Sequence, residues 1–382
     1  MSVFDSLIDQ SGTVAILKDA TVAAKNNKDE SQNMTHAWLF TGPPGCGRSN
    51  TALAFAAALL CANSGCNKCV DCRTTLNGIH ADVELIKTQG LSIKIDEVRE
   101  LITRASWSPA VAQYRVVIIE DADRLTESAA NALLKAIEEP GLRTIWLLCA
   151  PTLGDVMPTI RSRTRNLTLR TPSITAVRKL LENESVSPEI AELSSRASQG
   201  HIGRARFLAN NPDARARRTD ILKVPLTITD IASAFKCAQM LVDAAKREAD
   251  TEAEKLNDSE MATFKEAWGQ QGTRIVQGGA KAIKDLEREQ KSRQTRMMRD
   301  YLDRALLDIA TFYRDVLLKQ SGSQTDDSLI NADMQREIEI VAKDTHAINT
   351  LRKLEAIMGT RTNLSHNAAP LLALEALMVQ LR

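Results

Sequence analysis

The chain has 382 residues, which is too long for one ordinary domain and predicts two or three. Lysine and arginine number 49, and aspartate and glutamate number 48, so the formal net charge is only +1. A protein that binds nucleic acid through its overall charge would carry a basic excess, so this class is excluded. Apolar residues make up 43% of the chain and aromatic residues only 4%, a balance that favours helices over sheet-rich folds.

The first ten residues, MSVFDSLIDQ, lack the basic segment and apolar run that are typical of a signal peptide. No run of 18 or more apolar residues occurs anywhere in the sequence, which predicts no membrane span. These two observations lead us to expect a cytoplasmic protein without a membrane partner.

Short apolar segments alternate with helical patterns over residues 1–170. This alternation is typical of a parallel sheet with crossover helices, and it predicts an α/β domain. The predicted strands are residues 37–40, 83–86, 115–119 and 144–149.

Beyond residue 170 the sequence pattern is helical. Ser173 is suited to cap a helix, and Asn210-Asn211-Pro212 predicts a break. The segment 241–300 is rich in charged residues and predicts a long solvated helix or a pair of helices, interrupted at Gly278-Gly279. The remaining expectations are a loop over Ser321 to Asp327 and amphipathic helices at about 331–358 and 366–382.

A glycine-rich loop, TGPPGCGRSN, follows the first predicted strand and precedes an Ala/Leu-rich helical segment. Gly42, Gly47 and Ser49 fit the P-loop pattern G-x-x-x-x-G-K-[ST], in which glycines let backbone N–H groups converge on phosphate. The alternative is a tight Gly-Pro turn without a ligand. The residues expected at a nucleotide are Gly42, Pro43, Gly45, Cys46, Gly47, Arg48, Ser49 and Asn50.

Arg48 occupies the position of the P-loop lysine. A guanidinium is planar and wider than an ammonium, so we expect it to lie elsewhere and to spoil catalytic alignment, while binding of ATP or ADP stays open. Glu120-Asp121 follows the third predicted strand. In ATPases with this loop an Asp that holds Mg²⁺ is followed by a Glu that orients water, and the order here is reversed. A nucleotide-site role for these acids and a plain surface role are equally compatible with the sequence.

Four cysteines, Cys61, Cys66, Cys69 and Cys72, lie within twelve residues. Two Cys-x-x-Cys turns share Cys69, a spacing suited to a tetrahedral Zn²⁺ with no open position for a substrate. In a chain without a secretion signal, such a cluster favours a metal over disulfides. We therefore predict a structural zinc site. The spacing differs from that typical of iron–sulfur clusters.

These features together resemble one family, the bacterial clamp-loader AAA+ subunits of DNA polymerase III. The resemblance rests on HAWLFT before the loop, the cysteine module after the loop helix, and His80-Ala81-Asp82. The most specific segment is TESAANALLKAIEEP at residues 126–140. Ser162-Arg163-Thr164 resembles the family's Ser-Arg-Cys motif, with Thr164 in place of Cys.

The resemblance implies three domains. They are an AAA+ P-loop domain at residues 1–172 with a zinc module inserted at 61–72, a helical lid at 173–214, and an all-α collar for oligomerisation at 215–382. The resemblance also implies that Arg163 is an arginine finger acting in trans on a neighbouring subunit's nucleotide.

Within this family the gamma/tau members hydrolyse ATP and the delta-prime members generally do not. The sequence departs from the active pattern at Arg48 and at Glu120-Asp121. It departs again at Ala150-Pro151, where active members carry polar sensor residues. In the lid, Gly203 occupies the position of the sensor arginine, and Arg204 comes one residue later. One residue along a helix turns a side chain by about 100°. The resemblance is therefore to the delta-prime type, with no ATPase activity of its own.

The resemblance implies that the chain is a component of the DNA polymerase holoenzyme. A loader with gamma/tau and delta subunits would place a sliding clamp on primer-template DNA. One alternative is an active gamma/tau-type ATPase subunit, which would turn over ATP alone. Another is a zinc protein that binds nucleic acid by itself. Only Lys68, Asp71 and Arg73 are charged near the cysteines, so a basic patch is lacking.

Overall fold

The structure is a computed structural model that describes residues 2–25, 34–87, 92–141, 143–267, 279–322 and 329–382. The chain divides into two compact units, Met1–Ala209 and Asn210–Arg382. The first contains a sheet with helices, and the second is helical throughout its described part. The predicted α/β domain followed by helical segments is therefore confirmed. The domain boundaries at 172/173 and 214/215 stay predictions.

Five parallel strands form one sheet in the order β2-β3-β4-β1-β5. The four strands expected from apolar segments are confirmed. The fifth was missed because its sequence, RNLT, buries only Leu167 and lies at the edge of the sheet, where polar residues are tolerated. The strands are β1 Ala37–Thr41, β2 Val83–Ile86, β3 Arg115–Ile119, β4 Thr144–Ala150 and β5 Arg165–Thr168.

In the described residues of this unit, nine α-helices surround or follow the sheet. Ser173 caps the seventh, as predicted, by accepting a hydrogen bond from the Ala176 N–H. The helices are α1 Ser11–Lys25, α2 Arg48–Leu60, α3 Val70–Leu76, α4 Ile95–Ala105, α5 Glu127–Glu138, α6 Pro158–Arg161, α7 Ile174–Asn183, α8 Pro188–Ser198 and α9 Ile202–Asn210.

Two apolar layers cover the two faces of the sheet. Trp38 and Phe40 point to one face, where they join Phe55 of α2. Leu39, the residue between them, points to the other face and joins Ile137 of α5. Successive side chains of a strand point to opposite faces, so a strand buried on both sides reads as the continuous apolar run seen here.

The part of the second unit that the structure describes contains two long α-helices and five shorter ones. The helix expected over 331–358 is wrong as a single element, because Thr345 is extended (φ −127°, ψ 144°) and separates two helices. The Gln320 side chain donates to the carbonyl of Thr345 at 2.6 Å, which satisfies a polar group at the break. The helices are α10 Pro212–Leu222, α11 Val224–Thr227, α12 Ile231–Ala267, α13 Gly279–Gln320, α14 Gln335–Asp344, α15 Ala347–Ser365 and α16 Pro370–Gln380.

The described residues of the charged segment, 241–267 and 279–300, belong to α12 and α13, so the predicted pair of long helices is confirmed. Its polar residues are not all solvated. The side chain of Arg293 is only 9% exposed and donates to Glu260 at 2.5 and 2.6 Å and to Asn257 at 2.7 Å. Gly278 and most of the predicted loop at Ser321 to Asp327 lie outside the described residues. No described helix has the length and hydropathy needed to cross a bilayer.

Asp82 fixes the segment that leads into β3. Its buried carboxylate accepts hydrogen bonds from the backbone N–H groups of Ala110, Val111 and Ala112 at 2.5, 2.8 and 2.8 Å. Burial opposes ionisation of this carboxyl, but the three N–H donors outweigh it, so the pKa of Asp82 is lowered. The ionised form therefore stabilises the folded chain.

We predict that Asp82→Asn lowers the free energy of unfolding at neutral pH by about 1–3 kcal/mol, because at least one backbone N–H loses its acceptor. The folded pKa is below the unfolded value of about 3.9, so the carboxylate's contribution is complete above that value and is lost as the pH falls through the folded pKa. Urea unfolding across this range measures the difference. Asp96→Asn, at a carboxylate 88% exposed, is the control. A difference that persists unchanged under strongly acidic conditions would contradict the prediction.

Candidate functional site

The glycine-rich loop joins β1 to α2, as the sequence predicts. Gly45 and Gly47 adopt left-handed backbone conformations, with φ of 82° and 96°, which residues with a Cβ rarely adopt. Gly47 is also the N-cap of α2. The first helical turn therefore begins directly at the loop, which is the arrangement that presents backbone N–H groups to an anion. Cys46 is buried, whereas Pro43 and Asn50 are exposed.

Arg48 is turned back on the loop. Its Nη1 donates to the carbonyl oxygen of Gly42 at 2.8 Å. The guanidinium therefore closes the loop by bonding to the backbone where β1 ends. Ser49, the next residue, is half-buried in the first turn of α2. The expectation that Arg48 lies differently from a phosphate-binding lysine stays a prediction.

The segment before α9 also contacts the loop. A Cβ added at Gly45 would lie 2.0 Å from Cγ of the His201 ring, so the imidazole rests directly against this glycine. The N–H of Ile202 donates to the Gly45 carbonyl at 3.3 Å. Sequence reasoning missed His201, because no local pattern indicates a contact between residues so far apart in the chain.

Glu120 and Asp121 follow β3 at the same edge of the sheet. Each carboxylate has a cation of its own chain nearby. Glu120 lies 3.3 Å from Nζ of Lys87, and Asp121 lies 3.9 Å from Nε of Arg124. Both acids are partly buried, with side chains 17% and 23% exposed.

Asp123 is a further acid near the loop that the sequence did not single out. Burial raises the pKa of Asp123, the charge of Asp121 raises it further, and Arg124 and Arg48 oppose the shift. Its position in a charge-rich sequence run gave no sign that it would be half-buried.

The end of β4 lies beside the loop. The Gly42 N–H donates to the carbonyl of Pro151 at 3.0 Å, which places Pro151 next to the first glycine of the loop. The alignment of Ala150-Pro151 with the sensor residues stays a prediction. Neither side chain offers a polar atom to a phosphate. Burial raises the pKa of Cys149, the residue before them, so this thiol stays neutral.

In the lid segment, α9 begins at Ile202, so Gly203 lies in its first turn and Arg204 one position later. A Cβ on Gly203 would lie 3.4 Å from the His201 ring. The backbone N–H of Arg204 donates to Nδ1 of His201 at 3.1 Å. His201 therefore contacts the glycine-rich loop. The position at which a sensor arginine was expected holds Gly203, which has no side chain.

The four cysteines form a cluster, with all four Sγ atoms within 4.8 Å of one another. The Sγ of Cys61 lies 3.7 Å from that of Cys66 and 3.6 Å from that of Cys69. None of the four forms a disulfide. Zn–S bonds of about 2.3 Å in a tetrahedron place sulfur atoms about 3.8 Å apart, so the donor set fits this ion. The structure thus confirms a group of four cysteines that could hold a metal.

The backbone favours ionised sulfur at part of this cluster. Burial opposes the thiolate of Cys61, but N–H groups of Cys66, Gly65 and Asn63 outweigh it and lower its pKa to about 6. N–H groups of Lys68 and Cys69 lower the pKa of Cys66. These sulfurs are suited to ligate a cation, since the thiolate is the ligating form.

One arginine lies within the Ser-Arg-Thr segment and two flank it, and their environments differ. Arg161 donates to the carbonyl of Leu153 at 3.3 Å, and the guanidinium of Arg165 lies over the Trp38 ring, 4.9 Å from its centroid. Arg163 is 40% exposed and forms an ion pair with Glu138 at the end of α5. Sequence reasoning identified Arg163 but missed Glu138.

Residues 18–173, about two fifths of the chain, match the family model described as "DNA polymerase III, delta subunit". This range contains the glycine-rich loop, Glu120 and Asp121, the cysteine cluster and Arg163. It ends where the predicted lid begins.

Named relatives agree with this match. The Bacillus subtilis DNA polymerase III subunit delta' is 30% identical over 201 residues, which are 52% of this chain and 61% of that protein. The Mycobacterium bovis DNA polymerase III subunit gamma/tau is 33% identical over 157 residues, which are 40% of this chain and 27% of that protein. The chain thus spans less than two thirds of either relative. The predicted resemblance to delta-prime-type clamp-loader subunits is confirmed.

Among solved structures, a DNA polymerase III gamma subunit-related protein from Thermotoga maritima aligns with 96% of this chain and 98% of its own. The sequence identity is 16% and the TM-score is 0.45.

We predict that Gly45→Ala lowers the free energy of unfolding by about 2–4 kcal/mol. The left-handed conformation costs an alanine about 1–2 kcal/mol, and overpacking against the His201 ring adds a similar amount. Gly47→Ala is the matched control, because its φ is also positive but no heavy atom lies within 4 Å of the added Cβ. Thermal and urea unfolding measure both variants. Equal losses in the two would show that His201 does not press on the loop.

Proposed function

We propose that this chain is a delta-prime-type subunit of a cytoplasmic DNA polymerase III clamp loader and takes part in ATP-driven loading of a sliding clamp onto primed DNA. Its partners in this proposal are gamma/tau-type and delta-type subunits, with the clamp and primer-template DNA reached through the assembly. The match of residues 18–173 to the family supports this role. The similarity to a subunit delta' supports the choice within the family.

One contact carries the proposal that the chain does not hydrolyse ATP itself. The guanidinium of Arg48 bonds to the carbonyl of Gly42, in its own loop, rather than extending from it. Phosphoryl transfer depends on charges positioned around the phosphates, the metal and the attacking water. The ion pairs of Glu120 and Asp121 and the apolar side chains of Ala150-Pro151 support the same conclusion.

Nucleotide binding without hydrolysis remains part of the proposal. The loop keeps the helix N-terminus and the backbone N–H groups that bind phosphate without a lysine. His201 lies against Gly45, so ATP or ADP would enter a loop that the chain already covers in part.

Arg163 is proposed to act in trans as an arginine finger on the nucleotide of a neighbouring gamma/tau-type subunit. Its position after α6, its 40% exposed side chain and its place in a Ser-Arg-Thr segment support this role. A guanidinium near a terminal phosphate neutralises charge that develops in the transition state. The three-domain division, with a lid at 173–214 and an oligomerising collar at 215–382, belongs to the same proposal.

The cysteine cluster is proposed to hold one structural Zn²⁺ through Cys61, Cys66, Cys69 and Cys72. When bound, the ion would cross-link the end of α2 to α3, since Cys61 follows α2 and Cys72 lies in α3. All four ligands come from the protein, so no position is open for a substrate.

The functional test uses the assembled loader with clamp, primed DNA and ATP. We predict that the chain alone shows no ATP turnover above background and that Arg163→Ala lowers turnover by the assembly. An arginine finger raises the hydrolysis rate at the nucleotide it faces by roughly a thousandfold or more. Arg163→Ala should therefore remove the part of the assembly's turnover that this one nucleotide site contributes. Steady-state phosphate release measures both.

Arg165→Ala is the control, because the Arg165 side chain stacks on Trp38 and should affect thermal stability more than turnover. Turnover typical of an AAA+ motor by the isolated chain, abolished by Gly47→Val, would overturn the proposed type of subunit. Wild-type turnover by an assembled Arg163→Ala loader would overturn the finger.

We predict about one zinc per chain in protein purified without chelator, and a value near zero in Cys69→Ser, because three sulfurs do not complete a closed tetrahedral site. Elemental analysis measures the content. Cys237→Ala, at a buried cysteine outside the cluster, should retain the full amount. An equal zinc content in the two variants would refute this ligand set.

A further inference from the structure

Glu138 and Arg163 are brought together by the packing of two helices. Glu138 is the last residue of α5, and Arg163 lies two residues beyond α6. The helices are fixed by Ile137 and Ile160, which are 0% and 1% exposed and belong to the same apolar core. The backbones at both charged residues are therefore attached to a rigid part of the fold, although the side chains themselves are exposed.

The guanidinium of Arg163 is held through two of its three nitrogens. Its Nε donates to the Glu138 carboxylate, and its Nη1 donates to the carbonyl of Thr159 at 2.9 Å and to Oγ of Ser162 at 3.3 Å. Among the residues that the structure describes, Nη2 has no hydrogen-bond partner. One nitrogen of a half-exposed guanidinium is thus available to an external acceptor while the others fix its plane.

This arrangement matters because an arginine side chain has many rotamers. If the guanidinium becomes ordered only when it contacts a phosphate, the loss of rotamer freedom adds to the barrier and lowers the reaction rate. The ion pair itself adds little to stability, since the two side chains are 40% and 45% exposed and solvent screens the attraction. Its main physical effect is on orientation.

We infer that Glu138 is a positioning residue for Arg163: its carboxylate orients the guanidinium so that Nη2 faces the anionic phosphate presented by a neighbouring subunit. This inference rests on the proposed finger role of Arg163. Glu138 itself does not touch the nucleotide. It acts through the geometry of the arginine, so a neutral acceptor of the same shape preserves most of the effect.

The test is a double-mutant cycle in the assembled loader, with the same clamp, primed DNA and ATP. The measured quantity is the Arg163-dependent part of turnover, which is the wild-type rate minus the Arg163→Ala rate. Glu138→Ala should lower this part about fivefold, with little change in KM for ATP, because orientation affects the chemical step. Glu138→Gln, whose amide oxygen still accepts from Nε, should remain within about twofold of wild type.

The decisive variant is Glu138→Ala combined with Arg163→Ala, which should turn over ATP at the same rate as Arg163→Ala alone. Glu139→Ala, at the adjacent exposed carboxylate, is the matched control and should leave turnover unchanged. Thermal unfolding and gel filtration of each assembly verify folding and subunit content, so a purely structural effect would appear there.

The outcomes separate the two claims. If Arg163→Ala lowers turnover but Glu138→Ala does not, the finger stands and the positioning role is wrong. If Glu138→Ala lowers turnover equally with and without Arg163, Glu138 acts by another route and the inference is also wrong. If Arg163→Ala has wild-type turnover, the proposed finger fails and the role of Glu138 fails with it.

Discussion

Strand β1 is paired in parallel on both sides, and the position of the candidate site depends on this pairing. Thr41, its last residue, is in register with Ala150 of β4 and Thr168 of β5. Because parallel strands end at the same edge of a sheet, the chain segments that follow these three strands meet. The hydrogen bonds from Gly42 to Pro151 and from Leu169 to Thr41 result from this register. A slip of one residue would turn Leu39 toward the wrong apolar layer, so the buried strand fixes the register.

Helix α2 connects the glycine-rich loop to the cysteine cluster. It begins at the glycine-rich loop, and all residues from Thr51 to Leu60 are buried. Its many alanines let the helix lie close to the sheet without large side chains in between. Thirteen residues at about 1.5 Å each give a length of about 20 Å, and Cys61 follows directly. The cluster therefore closes the far end of the helix whose near end forms the loop, and a metal there would hold α2 and α3 together.

The sequence was most informative where the structure follows from local pattern. Four strands rich in apolar residues, the loop between β1 and α2, the Ser173 cap and the cysteine cluster were all predicted from short local segments. The misses share a physical cause. Edge strand β5 buries one residue, and the break at Thr345 is stabilised by Gln320 from another helix. Contacts such as His201 with Gly45 depend on tertiary structure that residue type and periodicity do not encode.

The charged groups at the loop and at Arg163 differ in how their own chain holds them. Arg48 bonds to the Gly42 carbonyl, and Glu120 pairs with Lys87, so both use partners within their own chain. Groups that take part in phosphoryl transfer must instead engage phosphate, metal or water, and releasing them from internal partners would cost free energy. Arg163 is also paired, but its contacts with Glu138 and the α6 turn leave Nη2 unengaged among the described residues. The same folding principle, pairing of charge within the chain, therefore produces a self-contained loop and an outward-facing arginine. This contrast supports the proposal that the chain contributes to a neighbour's reaction while it performs none itself.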